Sequence, residues 1–239
     1  PGDSSNSPTI LHEYNSWGTI NQEHVKTTQK IGDNPQASLW TKRYFDGLGR
    51  VVQLQAQGET GKTIVTTTAF SNRGLTDKEY VSQNLDSSSL NGYKTPDAVW
   101  KYTSYLYDGL NRATQTTKPD NQAILHDYTT AWQDTVTNER GLKKRYYYDA
   151  FSRLAKVEEL NDSQAVYATT NYTYDVLGNL TGVVDNSSNT STVAYDWLSR
   201  KTSMTDPDMG SWSYSYDSNS NITGQTDARS QTITFAMMS

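Results

Sequence analysis

The chain has 239 residues, of which 34% are hydrophobic and 20% are charged, and its formal net charge is -5. The negative net charge excludes the strongly basic composition of a typical nucleic-acid-binding protein. The absence of cysteine excludes disulfides and thiolate metal sites. No apolar run approaches the roughly 18 residues of a membrane-spanning helix, and the 17 tyrosines favour a broad sheet with one wetted face.

The first 39 residues show no repeated unit. They are predicted to form a lead-in of strands or irregular structure. The opening residues, Pro1-Gly2-Asp3, are neither an initiator methionine nor a signal peptide, which is typical of an internal or processed segment.

From about residue 40 the chain repeats itself. An aromatic residue followed by aspartate recurs at Phe45-Asp46, Tyr107-Asp108, Tyr148-Asp149, Tyr174-Asp175, Tyr195-Asp196 and Tyr216-Asp217. Successive aspartates are 62, 41, 26, 21 and 21 residues apart, close to multiples of one unit of about 21 residues. The longer gaps imply further copies that are degenerate or interrupted by insertions.

Residues after each aspartate predict a hairpin turn. The residue two positions after the aspartate is leucine or phenylalanine, with Asn219 the single departure. The residue four positions after it is arginine or asparagine. Turns are therefore predicted at residues 46–50, 108–112, 149–153, 175–179, 196–200 and 217–221. In the last three copies a second turn follows near Asp185, Asp206 and Asp227, so each unit is one antiparallel hairpin.

The residue types suggest how such hairpins would hold together. Tyrosines two apart face the same side of a strand and would align into ladders as units stack: Tyr105 with Tyr107, Tyr146 with Tyr148, Tyr172 with Tyr174, and Tyr214 with Tyr216. Each aspartate can accept backbone hydrogen bonds within its turn. The arginine either returns to that carboxylate or remains solvated and unpaired. Serine stands where a left-handed glycine is expected at Ser152, Ser199, Ser220 and Ser230.

These strings resemble the YD repeats of bacterial Rhs proteins, of cocoon subunits of insecticidal toxin complexes and of teneurins. The resemblance rests on Tyr44-Phe45-Asp46-Gly47-Leu48-Gly49-Arg50, on residues 172–179 and on residues 206–212. It implies a long curved or spiralling sheet that forms part of a hollow shell. It also implies a secreted or cell-surface location and an enclosed toxin domain as partner. The repeat itself carries no catalytic residues. Its structural positions are Asp46, Arg50, Tyr107, Asp108, Arg112, Tyr148, Asp149, Arg153, Tyr174, Asp175, Asn179, Tyr195, Asp196, Arg200, Tyr216, Asp217 and Asn221.

Three regions depart from the repeat. Residues 76–104 carry no clear unit and are predicted to contain a surface insertion near Asp86. Residues 236–239 are predicted to be a truncated or boundary tail of the array that spans residues 40–235. The strand at residues 231–235 is uncharged and free of proline, so its edge should be continued by further repeats or by an identical copy.

Motifs that would carry chemistry are weak. Gly58-Glu59-Thr60-Gly61-Lys62-Thr63 ends like a P-loop, but Ala56 replaces the first glycine and a β-branched strand follows. The three histidines are far apart in the sequence, residues 217–221 lack the twelfth acid of a calcium loop, and Asp206 and Asp208 lie in a predicted exposed turn. We therefore predict no enzyme, no cofactor and no metal.

A structural shell segment is the favoured function. One alternative is a carbohydrate-binding or adhesive surface, in which glycans stack on Trp132, Trp197 and Trp212. Another is a self-assembling extracellular filament module.

Overall fold

The computed structural model describes residues 9–19, 22–31 and 38–235, and the chain divides into two compact units, residues 1–123 and 124–239. Strand pairing within each unit is antiparallel, and the one helical element among the described residues is a 3₁₀ turn at Ser87–Ser89. The predicted all-β hairpin array is confirmed. The predicted tail at residues 236–239 lies outside the described residues, as do parts of the lead-in. Nowhere in the described ranges does a helix have the length and apolar character needed to cross a membrane.

The described residues of the first unit form nine strands. They are β1 (Ile10–Asn15), β2 (His24–Lys30), β3 (Ser38–Phe45), β4 (Val51–Gln57), β5 (Lys62–Phe70), β6 (Thr76–Tyr80), β7 (Gln83–Asp86), β8 (Tyr102–Tyr107) and β9 (Ala113–Thr117). Strands β1 to β5 pair in chain order. The long strand β5 then pairs with β7 along residues 62–65 and with β6 along residues 68–70, and β6 continues to β8 and β9. The segment expected to be an insertion, residues 76–104, thus contributes β6, β7 and the start of β8.

Buried side chains of the first unit are mostly polar. Gln53 and Gln55 on β4 are each 1% exposed, and Tyr44 is fully buried beside them. The loop after the 3₁₀ turn lies over this face: Gln53 Nε2 donates to the Lys94 carbonyl at 2.7 Å, and Gln55 Nε2 donates to the Gly92 carbonyl at 2.8 Å. Gln53 Oε1 accepts from the Lys94 amide at 3.0 Å. The loop satisfies the buried amides, which would otherwise be costly to desolvate.

The second unit is an uninterrupted meander, whose first strand begins at Ala123, the last residue of the first unit. Each strand pairs with the next in the chain. The strands are β10 (Ala123–Asp127), β11 (Gln133–Thr137), β12 (Lys143–Tyr148), β13 (Leu154–Leu160), β14 (Val166–Tyr174), β15 (Leu180–Val184), β16 (Thr190–Tyr195), β17 (Lys201–Asp206), β18 (Gly210–Tyr216), β19 (Ile222–Thr226) and β20 (Thr232–Thr234).

In a meander, alternate turns lie at opposite ends of the strands, so the turns form two rows along the sheet. One row of the second unit, which we call the aromatic–Asp edge, contains turns 149–153, 175–179, 196–200 and 217–221. The other row, which we call the opposite edge, contains turns 138–142, 161–165, 185–189, 206–210 and 227–231. The strand faces differ as well: on β18, Trp212, Tyr214 and Tyr216 are half-buried, whereas the serines between them are exposed. This alternation is the expected period of two.

Candidate functional site

All six predicted aromatic–Asp turns have the same backbone geometry. In the turn at residues 196–200, the Asp196 amide donates to the Arg200 carbonyl at 3.0 Å, and the Ser199 amide donates to the Asp196 carbonyl at 3.0 Å. The fourth residue is left-handed, with φ of 59° at Ser199. This is a three-residue hairpin loop closed by a bulge, and the strand register shifts at the preceding aromatic residue.

The serines expected in the left-handed position occupy it. The φ angles are 61° at Ser152, 59° at Ser199, 68° at Ser220 and 60° at Ser230. Glycine fills the same position at Gly49 and Gly178, with φ of 76° and 90°. The backbone therefore keeps one turn geometry even where the side chain makes it costlier.

The aspartate carboxylate uses both oxygens inside its turn. Asp196 Oδ1 accepts from the amides of Leu198 at 2.9 Å and Arg200 at 3.0 Å, and Oδ2 accepts from Arg200 Nε at 2.6 Å. Burial acts to raise the pKa of Asp196, but the hydrogen bonds from Arg200 and Leu198 outweigh it and hold that pKa below its ordinary value. The same pattern occurs at Asp46 with Arg50, Asp108 with Arg112, and Asp149 with Arg153.

Asparagine replaces arginine in two of these turns. Asn179 Nδ2 donates to Asp175 Oδ2 at 2.8 Å, and Asn221 Nδ2 donates to Asp217 Oδ2 at 3.0 Å. The hydrogen bond from Asn179 is the largest influence on Asp175 and lowers its pKa. The fifth residue thus supplies a donor to the second carboxylate oxygen whether or not it is charged.

Arginine also reaches the next turn along the edge. Arg200 Nη1 donates to the Asp217 carbonyl at 3.0 Å, and its guanidinium lies 4.8 Å from the ring centre of Tyr216. Arg153 does the same two repeats earlier, at 3.1 Å from the Asp175 carbonyl and 4.7 Å from the Tyr174 ring. Each arginine therefore ties its own turn to the aromatic residue of the following turn.

The hydroxyl of the tyrosine before the next turn donates a hydrogen bond back to the strand that follows the arginine. Tyr216 donates to the Lys201 carbonyl at 2.9 Å, and Tyr174 donates to the Leu154 carbonyl at 2.9 Å. In both cases the acceptor is the residue directly after the arginine. We call this arrangement of arginine, aromatic ring and carbonyl the inter-repeat clamp.

The first unit contains parts of the clamp. Arg50 lies 4.3 Å from the Phe70 ring centre, and Phe70 precedes a turn at residues 71–75 that begins with serine. Tyr107 donates to the Thr76 carbonyl at 2.8 Å, and Arg73 Nη1 donates to the Asp108 carbonyl at 2.7 Å. Phe70-Ser71 is thus a degenerate copy of the repeat, in which serine replaces the aspartate of the aromatic–aspartate pair.

Contacts of the predicted tyrosine ladder differ from expectation. Tyr216 and Tyr174 stack on arginine, Tyr214 lies 4.9 Å from Lys201 Nζ, and Tyr105 donates to Glu79 Oε2 at 2.6 Å. That hydrogen bond raises the pKa of Tyr105 to about 12. The ring–ring contacts found among the described residues join other aromatics, such as Tyr80 with Tyr102 and Tyr44 with Tyr93. Arg153, Arg200 and Lys201 thus lie against Tyr174, Tyr216 and Tyr214, where the ladder was expected to place another tyrosine.

The remaining two tyrosines of the repeat lie at the ends of their strands. The Tyr148 amide donates to the Trp132 carbonyl at 2.8 Å, and burial raises the pKa of its phenol. Tyr195 ends β16, where the register shifts and it opposes Lys201. Both therefore precede their turns in the same way as Tyr174 and Tyr216.

The residues that could suggest a phosphate-binding loop or an acid pair make contacts within the fold. Lys62 begins β5 and pairs with Asp86 at 2.7 Å, at the end of a turn in which the Lys62 amide donates to the Glu59 carbonyl. Asp206 accepts from Ser191 Oγ at 2.6 Å and from two turn amides. Among the described residues, no cluster of three or more histidine and acidic side chains is arranged to hold a metal ion.

Comparison with known proteins relates this fold to toxin complexes. Residues 18–124 match the profile of a family described as Domain of unknown function (DUF6443), and no curated protein matches the chain. The crystal structure of TcdB2-TccC3 superimposes with a TM-score of 0.76 at 14% identity, over 95% of this chain and 14% of that one. The crystal structure of TcdB2-TccC3-Cdc42 gives 0.74 at 15% identity, over 90% and 13%.

A third structure agrees with these two. The Tc holotoxin pore of Photorhabdus luminescens gives a TM-score of 0.72 at 15% identity, over 86% of this chain and 12% of that one. The chain therefore spans about an eighth of the length of these proteins. At this identity the match is one of fold: the hairpin array is a fold that also occurs within Tc toxin chains.

Proposed function

We propose that this chain is a non-enzymatic wall segment, built from YD repeats, of a shell of the kind found in Tc toxins. The inter-repeat clamp is the observation that carries this proposal. It joins turn 149–153 to turn 175–179 and turn 196–200 to turn 217–221, and it uses the residues that define the repeat. Between turns 175–179 and 196–200, where asparagine replaces arginine, Asn179 Nδ2 donates to Ser199 Oγ at 3.1 Å instead. Contacts between neighbouring units are what an extended wall requires, since repeat proteins gain stability from interfaces between adjacent units.

Polar groups of the turns support a structural role. Each aromatic–Asp carboxylate accepts two backbone hydrogen bonds and one from a side chain, as described for Asp196 and Asp175. A general acid or base needs a free, suitably tuned group in a pocket, whereas these carboxylates are occupied and their pKa values are lowered. Both oxygens of each carboxylate thus accept hydrogen bonds from the turn itself, and none of these bonds requires a substrate.

The partners that we propose follow from the same function. Further repeats would pair with the outer edge of β20, whose three residues are exposed and which pairs with β19 on its other side. A toxin domain would be the enclosed cargo. A secreted or surface location belongs to the same proposal, because Tc toxins supply the structural parallel.

Electron microscopy of the native protein tests the wall function. We expect a hollow particle whose wall includes this hairpin array. Limited proteolysis provides the second measurement: cargo inside an intact wall should be protected, and changing Arg153 and Arg200 together to alanine should expose it. A solid or extended particle without a cavity would contradict the proposal.

Carbohydrate binding has one structural observation in its favour. Trp197 is 94% exposed and Trp132 is 59% exposed, so both indoles could stack on sugar rings. Trp212 is less available because its indole N–H donates to the Met209 carbonyl at 3.0 Å. A glycan array separates the two functions: binding that is lost on Trp197→Ala would favour the adhesive surface, and no binding is expected for a wall.

A further inference from the structure

The aromatic–Asp edge of the second unit exposes a row of apolar side chains. The exposed fractions are 79% at Phe151, 101% at Val176, 60% at Leu177, 94% at Trp197 and 67% at Leu198. These five residues, which we call the apolar rim, occupy the second and third positions of three consecutive turns. Single exposed apolar residues are ordinary, but a contiguous row of this kind marks an interaction site.

The opposite edge shows that the fold does not require this row. Its turns at residues 138–142, 161–165, 185–189 and 227–231 have the same two closing hydrogen bonds and a left-handed fourth residue. Their third residues are all polar: Arg140, Ser163, Ser187 and Arg229. The same backbone geometry thus carries apolar tips at three turns of the aromatic–Asp edge, polar tips at the fourth, where Asn219 stands, and polar tips at these turns of the opposite edge. Turn formation therefore does not account for the apolar tips.

The shape and charge of the rim suit a second apolar row. Neighbouring tips lie two strands apart, which is about 9.6 Å. A groove of about 460 Å³ lies between the first two turns, lined by Phe151, Leu177 and Tyr174 among others. Arg153 and Arg200 are each paired with the aspartate of their own turn, so the rim has no unpaired charge from these arginines.

The size of the rim limits the affinity. The five side chains offer on the order of 600 Å² per copy, since aromatic residues alone present roughly 150–250 Å² each. A standard stable interface needs about 800 Å² per partner. The rim is therefore large enough for association in the micromolar range or weaker, and too small for a permanent dimer.

We propose that the apolar rim is a self-association surface on which a second copy of this chain docks, rim against rim, about a two-fold axis. The axis passes beside Val176 and Leu177 of the central turn. Trp197 and Leu198 of one copy then face Phe151 of the other, because an isologous contact exchanges the two ends of the row. A second copy has the same spacing of about 9.6 Å between its tips and therefore matches all three turns at once. This inference goes beyond the wall function and does not depend on it.

Chemical cross-linking tests the position of the axis. The chain has no cysteine, so Val176→Cys introduces a unique thiol at a fully exposed position. Under mild oxidation we expect a disulfide-linked dimer, whereas Ser187→Cys on the opposite edge should remain monomeric. Both variants carry Thr232→Lys and Thr234→Lys, so that pairing through β20 does not contribute. Equal cross-linking of the two cysteines would overturn the proposed axis.

Sedimentation velocity tests the rim itself in the same background. Replacing Trp197 and Leu198 together with serine should weaken association at least about tenfold, because it removes the tryptophan and the leucine that face Phe151 of the other copy. Met209→Ser is the matched control, because Met209 is 54% exposed but lies on the opposite edge. A monomer at all concentrations before substitution, or an equal effect of the control, would refute the rim. Binding to neutral lipid vesicles without self-association would assign the rim to a membrane instead. A failure of either kind leaves the wall function standing, because that function is tested on the native particle.

Discussion

Arg200→Asn separates the two roles of arginine in the clamp. Asparagine already stands at this position in the turns of Asp175 and Asp217, where its Nδ2 donates to the carboxylate at 2.8 and 3.0 Å. The substitution should therefore keep the bond inside the turn. It removes the hydrogen bond to the Asp217 carbonyl and the contact with the Tyr216 ring, which lie at 3.0 and 4.8 Å from Arg200.

The expected loss can be estimated from these two contacts. A cation–π contact at a partly exposed site contributes about 0.5–1 kcal/mol, and a typical hydrogen bond contributes about 0.5–1.5 kcal/mol. Arg200→Asn should thus destabilise the protein by about 1–2.5 kcal/mol. For a chain of this length, that lowers the melting temperature by roughly 2–10 °C. Arg200→Ala should be worse than asparagine, since it also removes the partner of Asp196 Oδ2.

Thermal unfolding followed by circular dichroism measures the order of these variants. Arg229→Ala is the control, because Arg229 pairs with Asp227 but its side chain is 85% exposed. Hydrogen exchange should localise the effect of Arg200→Asn to the turn at residues 217–221, since the clamp joins two adjacent turns. If asparagine matched the wild type, the contacts between turns would contribute nothing to stability. If asparagine and alanine were equal, the bond within the turn would be dispensable.

Four further predictions concern other parts of the chain. Ser199→Gly should raise the melting temperature, because a non-glycine residue at φ of 59° is strained by about 1 kcal/mol. Changing Thr232 and Thr234 to lysine should suppress concentration-dependent light scattering, since lysine blocks pairing at a sheet edge; unchanged scattering would contradict continuation through β20. ATP and GTP should give no calorimetric heat, and micromolar binding abolished by Lys62→Ala would show this to be wrong. The pKa of Asp217 is lowered, so its stabilising effect is complete above the unfolded value of about 3.9 and is lost as pH falls through the folded value. Melting temperature should therefore fall more steeply below about pH 4 in the wild type than in Asp217→Asn.

The turns were predictable because their determinants are local. An aspartate at the first position, a small residue at the fourth and a donor at the fifth all lie within five residues, so spacing alone identifies them. Positions such as 196–200 were therefore located to the residue. The degenerate turn after Phe70 was not, because serine replaces aspartate and leucine replaces arginine there.

The interior of the first unit could not be predicted in this way. On β5, Thr63 and Thr67 are buried, whereas Ile64 is 41% exposed, which reverses the usual hydrophobic pattern. The reason is tertiary: a loop some 40 residues away in sequence supplies the carbonyls that accept from Gln53 and Gln55. Hydrophobic periodicity indicates which face is apolar, but it cannot indicate that a polar face will be covered.

The clamp also explains why the aromatic–aspartate pair recurs on one edge only. On the opposite edge two of the same turns begin with Asp185 and Asp227, which no aromatic residue precedes. The other two begin with asparagine: Asn138 Oδ1 accepts from the amides of Arg140 and Leu142 at 3.0 Å, and Asn161 does likewise within its turn. Backbone geometry thus needs only one side-chain oxygen. The second atom of asparagine is a donor and cannot accept from arginine, and the fifth residues there are Leu142 and Ala165.

Aspartate supplies a second acceptor oxygen, and where the fifth residue is arginine this oxygen also holds the arginine for the next turn. Its second oxygen fixes the Nε of Arg153 and Arg200, which leaves Nη1 directed at the neighbouring carbonyl. The aromatic residue before the following aspartate then receives the guanidinium on its ring. The clamp therefore requires aspartate and arginine in one turn and an aromatic residue before the next turn. Forming a single turn imposes no such combined requirement. On this reasoning, the recurring aromatic–aspartate pair marks the connection between hairpins, and the hairpins themselves would fold from a much less regular sequence.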